Sequence, residues 1–429
     1  MLNKGIKFFG IFLMALILAG CGSQEEKKLA FFEKGKALYE KGDYVKARLE
    51  FKNALQIDPK FARGYYMLGL TEQKTANLKN AYASFNKAVE LNPDLTDAQL
   101  QLGKLLLLGN APDKAMDKVD IVLAGEPDNS EALVLKGSIL LARKDADGAI
   151  NLMESLLASN ITKPDIYQLL AAAYLQKADV KTAEDRYRRG IAANPDSVSL
   201  HMALAKLYQD SRRFSEAAQI IQNVIKLQPD NVAYKLNLAS LYWDDGRIKE
   251  ADAAVAELLA KEPGNEDHRM MAARFYQSKN RFDQAEQVLL EGIENNQKSF
   301  KLRLMIAELL VNGRRTDRAI EILEGGLRLD DDPANPGVIQ TKNALAKLYL
   351  MMRNVDMAEK YVDEVIAANP NSVEGRYHKG NIFLARGDGL NAISAFRTVV
   401  NERPGFVDGY VRLAAAHMVN KEPQLAEDT

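Results

Sequence analysis

One cysteine, four histidines and a run of three aspartates are the residues of this 429-residue chain whose types could do chemistry. Cys21 is the only thiol, so it can serve as nucleophile, metal ligand or acyl acceptor but not as half of an internal disulfide. His201, His268, His378 and His417 stand far apart, and none falls in an H-E-x-x-H or C-x-x-C arrangement. They read as structural or surface histidines, and no metal site is expected. Asp330, Asp331 and Asp332 open the stretch DDDPANPG, residues 330–337. An acidic run invites a calcium-loop reading, but the D-x-D-x-D-G spacing and the distal glutamate are missing. A plain insertion loop is expected instead. There is no glycine-rich phosphate loop and no G-x-S-x-G elbow. Paired carboxylates are too common on solvated helix faces to single any out. The chain reads as a non-enzyme without a cofactor.

The surroundings of Cys21 say what its sulfur is for. Lys4 and Lys7 form a positive start, and Phe8 to Ala19 is an apolar run broken only by Gly10. That run is too short to span a bilayer well and has the layout of an export signal. Leu18-Ala19-Gly20-Cys21 resembles the lipobox of bacterial lipoprotein precursors. The resemblance implies cleavage between Gly20 and Cys21, with acyl chains added to the cysteine sulfur and its new amino group. Residues 1–20 would then be a signal peptide and residues 21–27 a lipidated tether. Gly22, rather than aspartate, after the cysteine resembles the pattern sent to the outer membrane in Gram-negative cells. The expected location is a membrane-anchored lipoprotein facing the periplasm, or on the outer face of the cytoplasmic membrane.

Composition bounds the remainder. The chain is 47% hydrophobic and 27% charged, ordinary for a folded protein with ample core. Losing Lys4 and Lys7 with the leader takes the formal net charge from −1 to −3. No basic excess is present to make a nucleic-acid footprint.

Beyond residue 27 the chain repeats. Residues 35–59, GKALYEKGDYVKARLEFKNALQIDP, align with residues 69–93, GLTEQKTANLKNAYASFNKAVELNP, at an offset of 34. Gly35 meets Gly69, Ala47 meets Ala81, Phe51 meets Phe85 and Pro59 meets Pro93. The alanine returns at the same spacing as Ala115, Ala149, Ala183, Ala217, Ala251, Ala285 and Ala319. After one interval of 39 it recurs as Ala358, Ala392 and Ala426. A small residue also recurs twelve positions before each of these alanines, from Gly35 to Ala414. Pro59, Pro93, Pro127, Pro195, Pro229, Pro263, Pro370 and Pro404 close their repeats, because proline cannot continue a helix interior. Leu200, Leu204, Leu207 and Tyr208 show the apolar spacing of one helix, and Ala217, Ile220, Ile221 and Val224 that of its partner.

These features resemble the tetratricopeptide repeat (TPR), two antiparallel helices in about 34 residues. The resemblance implies an all-α superhelical solenoid over residues 28–429, with eleven complete repeats to about residue 404 and a partial twelfth. The chain is expected to stop inside that repeat.

In this family the second, fifth, ninth, twelfth and thirteenth positions of each first helix line an inner groove. The large residues so placed are Phe32, Tyr39, Leu100, Leu107, Leu236, Trp243, Tyr377 and Leu384, with Tyr66 a further aromatic. Arg63, Lys104, Lys206, Arg274 and Lys347 supply charge. Trp243, beside Asp244 and one repeat from Arg274, reads as a binding hot spot for a polypeptide. The Lys-x-x-x-Asn pattern of the chaperone-binding subgroup is not reproduced from Phe32 and Lys36. The expected function is a lipid-anchored scaffold for envelope proteins or peptides. Within TPR lipoproteins, KNALQIDP and KAVELNP most resemble those of exopolysaccharide and PEP-CTERM/exosortase systems. Two other readings stand beside it: a periplasmic component whose aromatics contact polysaccharide, and the non-catalytic part of a longer enzyme.

Overall fold

The structure, a computed structural model, describes residues 24–429. The lipobox and Cys21 lie outside the described residues. Twenty-four helices and no strand occur among those described. None of these helices is long and apolar enough to cross a membrane. The contacts divide the chain after Arg213 into two compact bodies.

The first body holds α1 (24–40), α2 (Tyr44–Ile57), α3 (Ala62–Lys74), α4 (Leu78–Leu91), α5 (Thr96–Leu108) and α6 (Pro112–Gly125). It continues with α7 (Ser130–Ala142), α8 (Ala146–Ala158), α9 (Pro164–Gln176), α10 (Val180–Ala193) and α11 (Val198–Asp210). The second holds α12 (Phe214–Leu227), α13 (Val232–Asp244), α14 (Ile248–Lys261), α15 (Glu266–Ser278), α16 (Phe282–Asn295), α17 (Phe300–Asn312) and α18 (Thr316–Leu327). Its remaining helices are α19 (Pro336–Met351), α20 (Val355–Ala368), α21 (Val373–Ala385), α22 (Gly389–Glu402), α23 (Val407–Val419) and α24 (Pro423–Asp428). Odd-numbered helices are the first, or A, helices of their repeats, and even-numbered ones the B helices. Within each body a B helix packs against its own A helix and the next one, and successive A helices touch.

The tether expected over 21–27 is already helical from residue 24. Glu25 and Glu26 favour a helix start, where carboxylates meet the positive end of the backbone dipole. Lys28, buried at 7% exposure, then bonds Glu25 (2.7 Å) and Asp58 (3.0 Å), tying α1 to the end of α2.

The turn between A and B helices is the same in every repeat. Gly42, Ala76, Asn110, Lys144, Ala178, Arg212, Gly246, Asn280, Arg314, Arg353, Gly387 and Lys421 all have φ between 56° and 79°. The spacing is again 34, with one 39. Nine of the twelve are not glycine, so the left-handed turn is imposed by the packing of the helices and not by residue preference. Aspartate or asparagine often caps the helix that follows: Asp43, Asn77, Asp145, Asp179, Asn354 and Asp388 accept from the backbone N–H three residues on. At the other end, Asp58, Asn92, Asn194 and Asn369 precede proline, and Asp58 and Asn92 are held extended. Where Ile161 replaces the proline, Asn160 turns left-handed (φ 60°) and the Ile161 N–H closes on Leu156 O at 3.0 Å.

Small residues on the A helix are matched in size to the residue sixteen further on. A Cβ built on Gly35 or Gly69 would lie 2.6 Å from the ring of Phe51 or Phe85. On Gly137 it would lie 2.6 Å from Met153, and on Gly380 2.7 Å from Phe396. Where the small residue is alanine, the partner position is mostly smaller: Ala239 with Val255, Ala273 with Leu289, Ala307 with Leu323, Ala346 with Val362. All eight are buried in one core. Gly103, in register with Val119, is an exception; its Cβ would meet Leu135 at 3.1 Å and little else. Ala171, in register with Tyr187, is another.

The DDDPANPG stretch is an insertion between α18 and α19, closed on itself. Asp330 accepts from the Asp332 N–H and from Asn335 Nδ2, and Asp332 accepts from the Ala334 N–H. The α19 helix begins three residues early, with Asn335 as its cap.

A partly buried ion cluster joins α10 to α11 in the first body. Glu184 accepts from Arg213 Nη1 (2.5 Å), Tyr208 Oη (2.9 Å) and Arg188 Nε (2.9 Å). The Arg213 guanidinium lies 4.3 Å from the Tyr208 ring centre. The bond from Arg213, aided by Tyr208 and Arg188 and opposed by burial, holds the Glu184 carboxyl down at about 2. A carboxyl lowered on folding stabilises the fold above its unfolded pKa, near 4.5, and that stability is lost as pH falls toward 2. Glu184→Gln should therefore cost about 2 kcal/mol at pH 7, discounting for partial exposure. Urea unfolding of both proteins should show the gap narrowing between pH 4.5 and pH 3. A gap that does not change with pH would show that the charge on Glu184 is not what stabilises the cluster.

Candidate functional site

Clefts form where three successive A helices turn the same register positions toward a common space. The larger, of about 900 Å³, lies in the second body between α19, α21 and α23. Glu374, Tyr377, Asn381, Leu384 and Ala385 line it from α21, which are all five of the inner positions of that helix. Lys347, Leu350 and Met351 are the corresponding residues of α19. The smaller, of about 620 Å³, lies in the first body between α5, α7 and α9. Lys104, Leu107 and Leu108 line it from α5, with Glu131, Val134 and Ser138 from α7.

The floor of the large cleft is aromatic. Tyr377 meets Phe406 edge-on at 5.4 Å and Phe396 at 5.9 Å. Its hydroxyl donates to Asp408, whose carboxylate is also 4.0 Å from Arg412 Nε. Burial, reinforced by that acceptor, raises the Tyr377 pKa, so the phenol stays protonated. Asn381 Nδ2 donates to Tyr377 O at 3.0 Å. His378, 5% exposed, is pushed down to about 4 by burial and by the nearby Lys347 ammonium, so its imidazole is neutral. The small cleft has an apolar floor of Leu107, Val134, Leu135 and Leu169, with Leu108 69% exposed at its edge. Lys104 and Glu131 pair across it at 2.5 Å.

The other residues singled out from sequence lie elsewhere. Phe32 (8% exposed) and Leu100 (2%) are core residues. Phe32 is covered by Phe61 at 4.9 Å and by Phe51 at 5.8 Å. Tyr39 packs on Tyr44, and Tyr66 on Phe85; burial raises the Tyr66 pKa to about 12. Leu236 and Trp243 pack against the main core of the second body, the indole edge-on to Phe275 at 6.4 Å. The charges around Trp243 are not those expected. Arg281, not Arg274, lies over the indole at 5.5 Å, and Lys279 takes Asp244 at 2.7 Å; Arg274 is exposed. The aromatics thus occupy separate local contacts and form no shared platform for sugar rings within either body.

Of the histidines, His201 Nδ1 bonds Ser197 O and His417 Nδ1 bonds Glu422. Among the described residues no cluster of three His, Cys, Asp or Glu could hold a metal ion. Of the residues singled out from sequence, Lys104 and Leu107 line the small cleft and Lys347, Tyr377 and Leu384 the large one, while Leu135, Leu169, His378, Phe406 and Arg412 line them from off the five-position register. The apolar spacing that places His378 inside α21 was the one available signal.

Models of the tetratricopeptide repeat match residues 62–95, 140–207, 202–266, 243–302 and 343–428, and a TPR-repeat model matches residues 35–75. Together they cover more than half of the chain. No curated protein matches it. Among solved structures, Naa15/Naa10 bound to HypK-THB is 17% identical, covering 97% of this chain and 64% of that one, with a TM-score of 0.48. This chain thus spans less than two thirds of that protein's length. Yeast Tom70 is 16% identical over 94% of this chain and 90% of that one, with a TM-score of 0.37. MamA from Desulfovibrio magneticus RS-1 is 18% identical over 40% of this chain and 98% of that one, with a TM-score of 0.37.

Proposed function

Because the chain belongs to the tetratricopeptide-repeat family, we propose that it is a non-catalytic scaffold whose A-helix clefts hold polypeptide partners. The observation that carries this reading is that both clefts open at the same register positions, with apolar floors and charged rims. Such a surface suits a peptide, with apolar anchors for affinity and charges for register. The lipobox-like segment supports a tether through Cys21, which would hold the clefts at an envelope membrane. The Cys21-Gly22-Ser23 start and the phrases at 52–59 and 87–93 favour an exopolysaccharide or PEP-CTERM/exosortase-associated export system.

Photo-crosslinking in intact cells tests the scaffold. A crosslinking residue at Leu108 or Met351, both well exposed on the clefts, should capture discrete polypeptides. The same residue at Asn151, on the exposed side of α8, should capture far less. Equal capture at all three positions would refute a role for the clefts.

A further inference from the structure

The large cleft has polar groups that its own walls do not satisfy. His378 lines it at 5% exposure, and neither ring nitrogen has a hydrogen-bond partner among the described residues. A neutral imidazole offers one N–H donor and one acceptor. The Lys347 ammonium is close enough to His378 to bear on its protonation, and it forms no ion pair among the described residues. The Asp408 carboxylate is already occupied by Tyr377 and Arg412. Glu374, the other acid of the cleft, stands one helical turn before His378, about 6 Å along the axis of α21. Lys347, His378 and Asn381 thus bring a cation, an imidazole and an amide to the cleft, with Glu374 one turn from His378.

We propose that this part of the cleft seats an internal aspartate or glutamate side chain of an extended polypeptide. Its carboxylate lies between Lys347 and the His378 N–H, and an adjoining apolar residue rests on Tyr377 and Phe406. This rests on the reading that the clefts hold polypeptides, and adds to it what one of them selects. The carboxylate is charge-complementary to Lys347, and an N–H···carboxylate bond is of the stronger, charge-assisted kind.

The test is selection of a random dodecapeptide library, displayed without free C-termini, on the full chain in detergent. Enriched peptides should carry Asp or Glu beside an aliphatic or aromatic residue. Their binding should fall at least tenfold with Lys347→Met and severalfold with His378→Phe. Lys347 is exposed, so Lys347→Met should melt as the parent does, which separates lost binding from lost fold. Enriched peptides without acids, or binding indifferent to Lys347→Met, overturn the proposal. Enrichment that depends on Lys104 and Leu108 instead also overturns it, while the scaffold reading stands. Lys347-dependent binding of oligogalacturonate with no peptide enriched would transfer the cleft to an acidic polysaccharide. No binding of either probe removes both the proposal and its premise for this cleft.

Discussion

Leucine in place of Gly69 should unfold the second repeat locally, at a cost of about 3 kcal/mol or more. The reason is the Phe85 ring, fully buried and 2.6 Å from where even the first added carbon would sit. Alanine makes a sharper test, because two effects then oppose each other. In a helix interior, glycine to alanine is worth about 0.8–1 kcal/mol in favour of the variant. Overpacking against a buried ring costs about 1–3 kcal/mol. Overpacking should win, leaving Gly69→Ala destabilised. Adding Phe85→Leu should restore much of the loss, since it recreates the pairing of Ala273 with Leu289. Gly103→Ala should be close to neutral, because Leu135 is a flexible neighbour at 3.1 Å. Chemical unfolding gives the totals, and hydrogen exchange should place the damage in α3, α4 and their neighbours, as expected of a stack coupled repeat to repeat. A stabilised Gly69→Ala would show that Phe85 can move aside, and the size-matching argument would fall.

Cys21→Ser should produce the largest change in location: loss of acyl label and release of the chain from the membrane fraction. Each buried CH₂ contributes about 0.8 kcal/mol, and a single myristoyl chain binds only marginally. None of the described helices can cross a bilayer, so on the lipobox reading the acyl chains would supply the membrane binding of the mature chain. The repeats should melt as before, because Cys21 lies outside them. Unchanged acyl labelling of the variant would remove the lipobox assignment. Retention without label would point to a protein contact at the membrane.

The repeat architecture was legible because its determinants are local and recur: a small residue, an alanine twelve further on, a proline at the end. The inner positions were legible for the same reason. What could not be read was which of them stay open. Phe32 and Tyr377 share a register position, yet Phe61 and Phe51 bury the first, while the second forms the floor of a cleft. That difference depends on side chains from the neighbouring helices, not on the residue itself. The surroundings of Trp243 misled for a related reason. Arg274 has the right register, but Arg281, in the turn after α15, is the side chain that reaches the indole. Charges placed by turns escape a reading based on helix faces. His378 was visible only as an isolated histidine, because its lack of a partner is a property of three packed helices.

The size-matched pairs bear on how such an array can change in length. Gly35 and Phe51, Gly69 and Phe85, Gly137 and Met153, and Gly380 and Phe396 are each sixteen residues apart, so both members lie inside one repeat. Duplicating or deleting a whole repeat carries the pair along as a cassette. A recombination crossover falling between the two members can instead join a small-residue segment from one repeat to a large-residue segment from another. A hybrid with alanine before phenylalanine would be overfilled, and one with glycine before valine would contain a void unless a neighbour fills it, as Leu135 does beside Gly103. Breakpoints outside the sixteen-residue interval therefore preserve the matched pairs, whereas drift within it calls for a compensating change in the partner or, as at Gly103, in a neighbouring repeat.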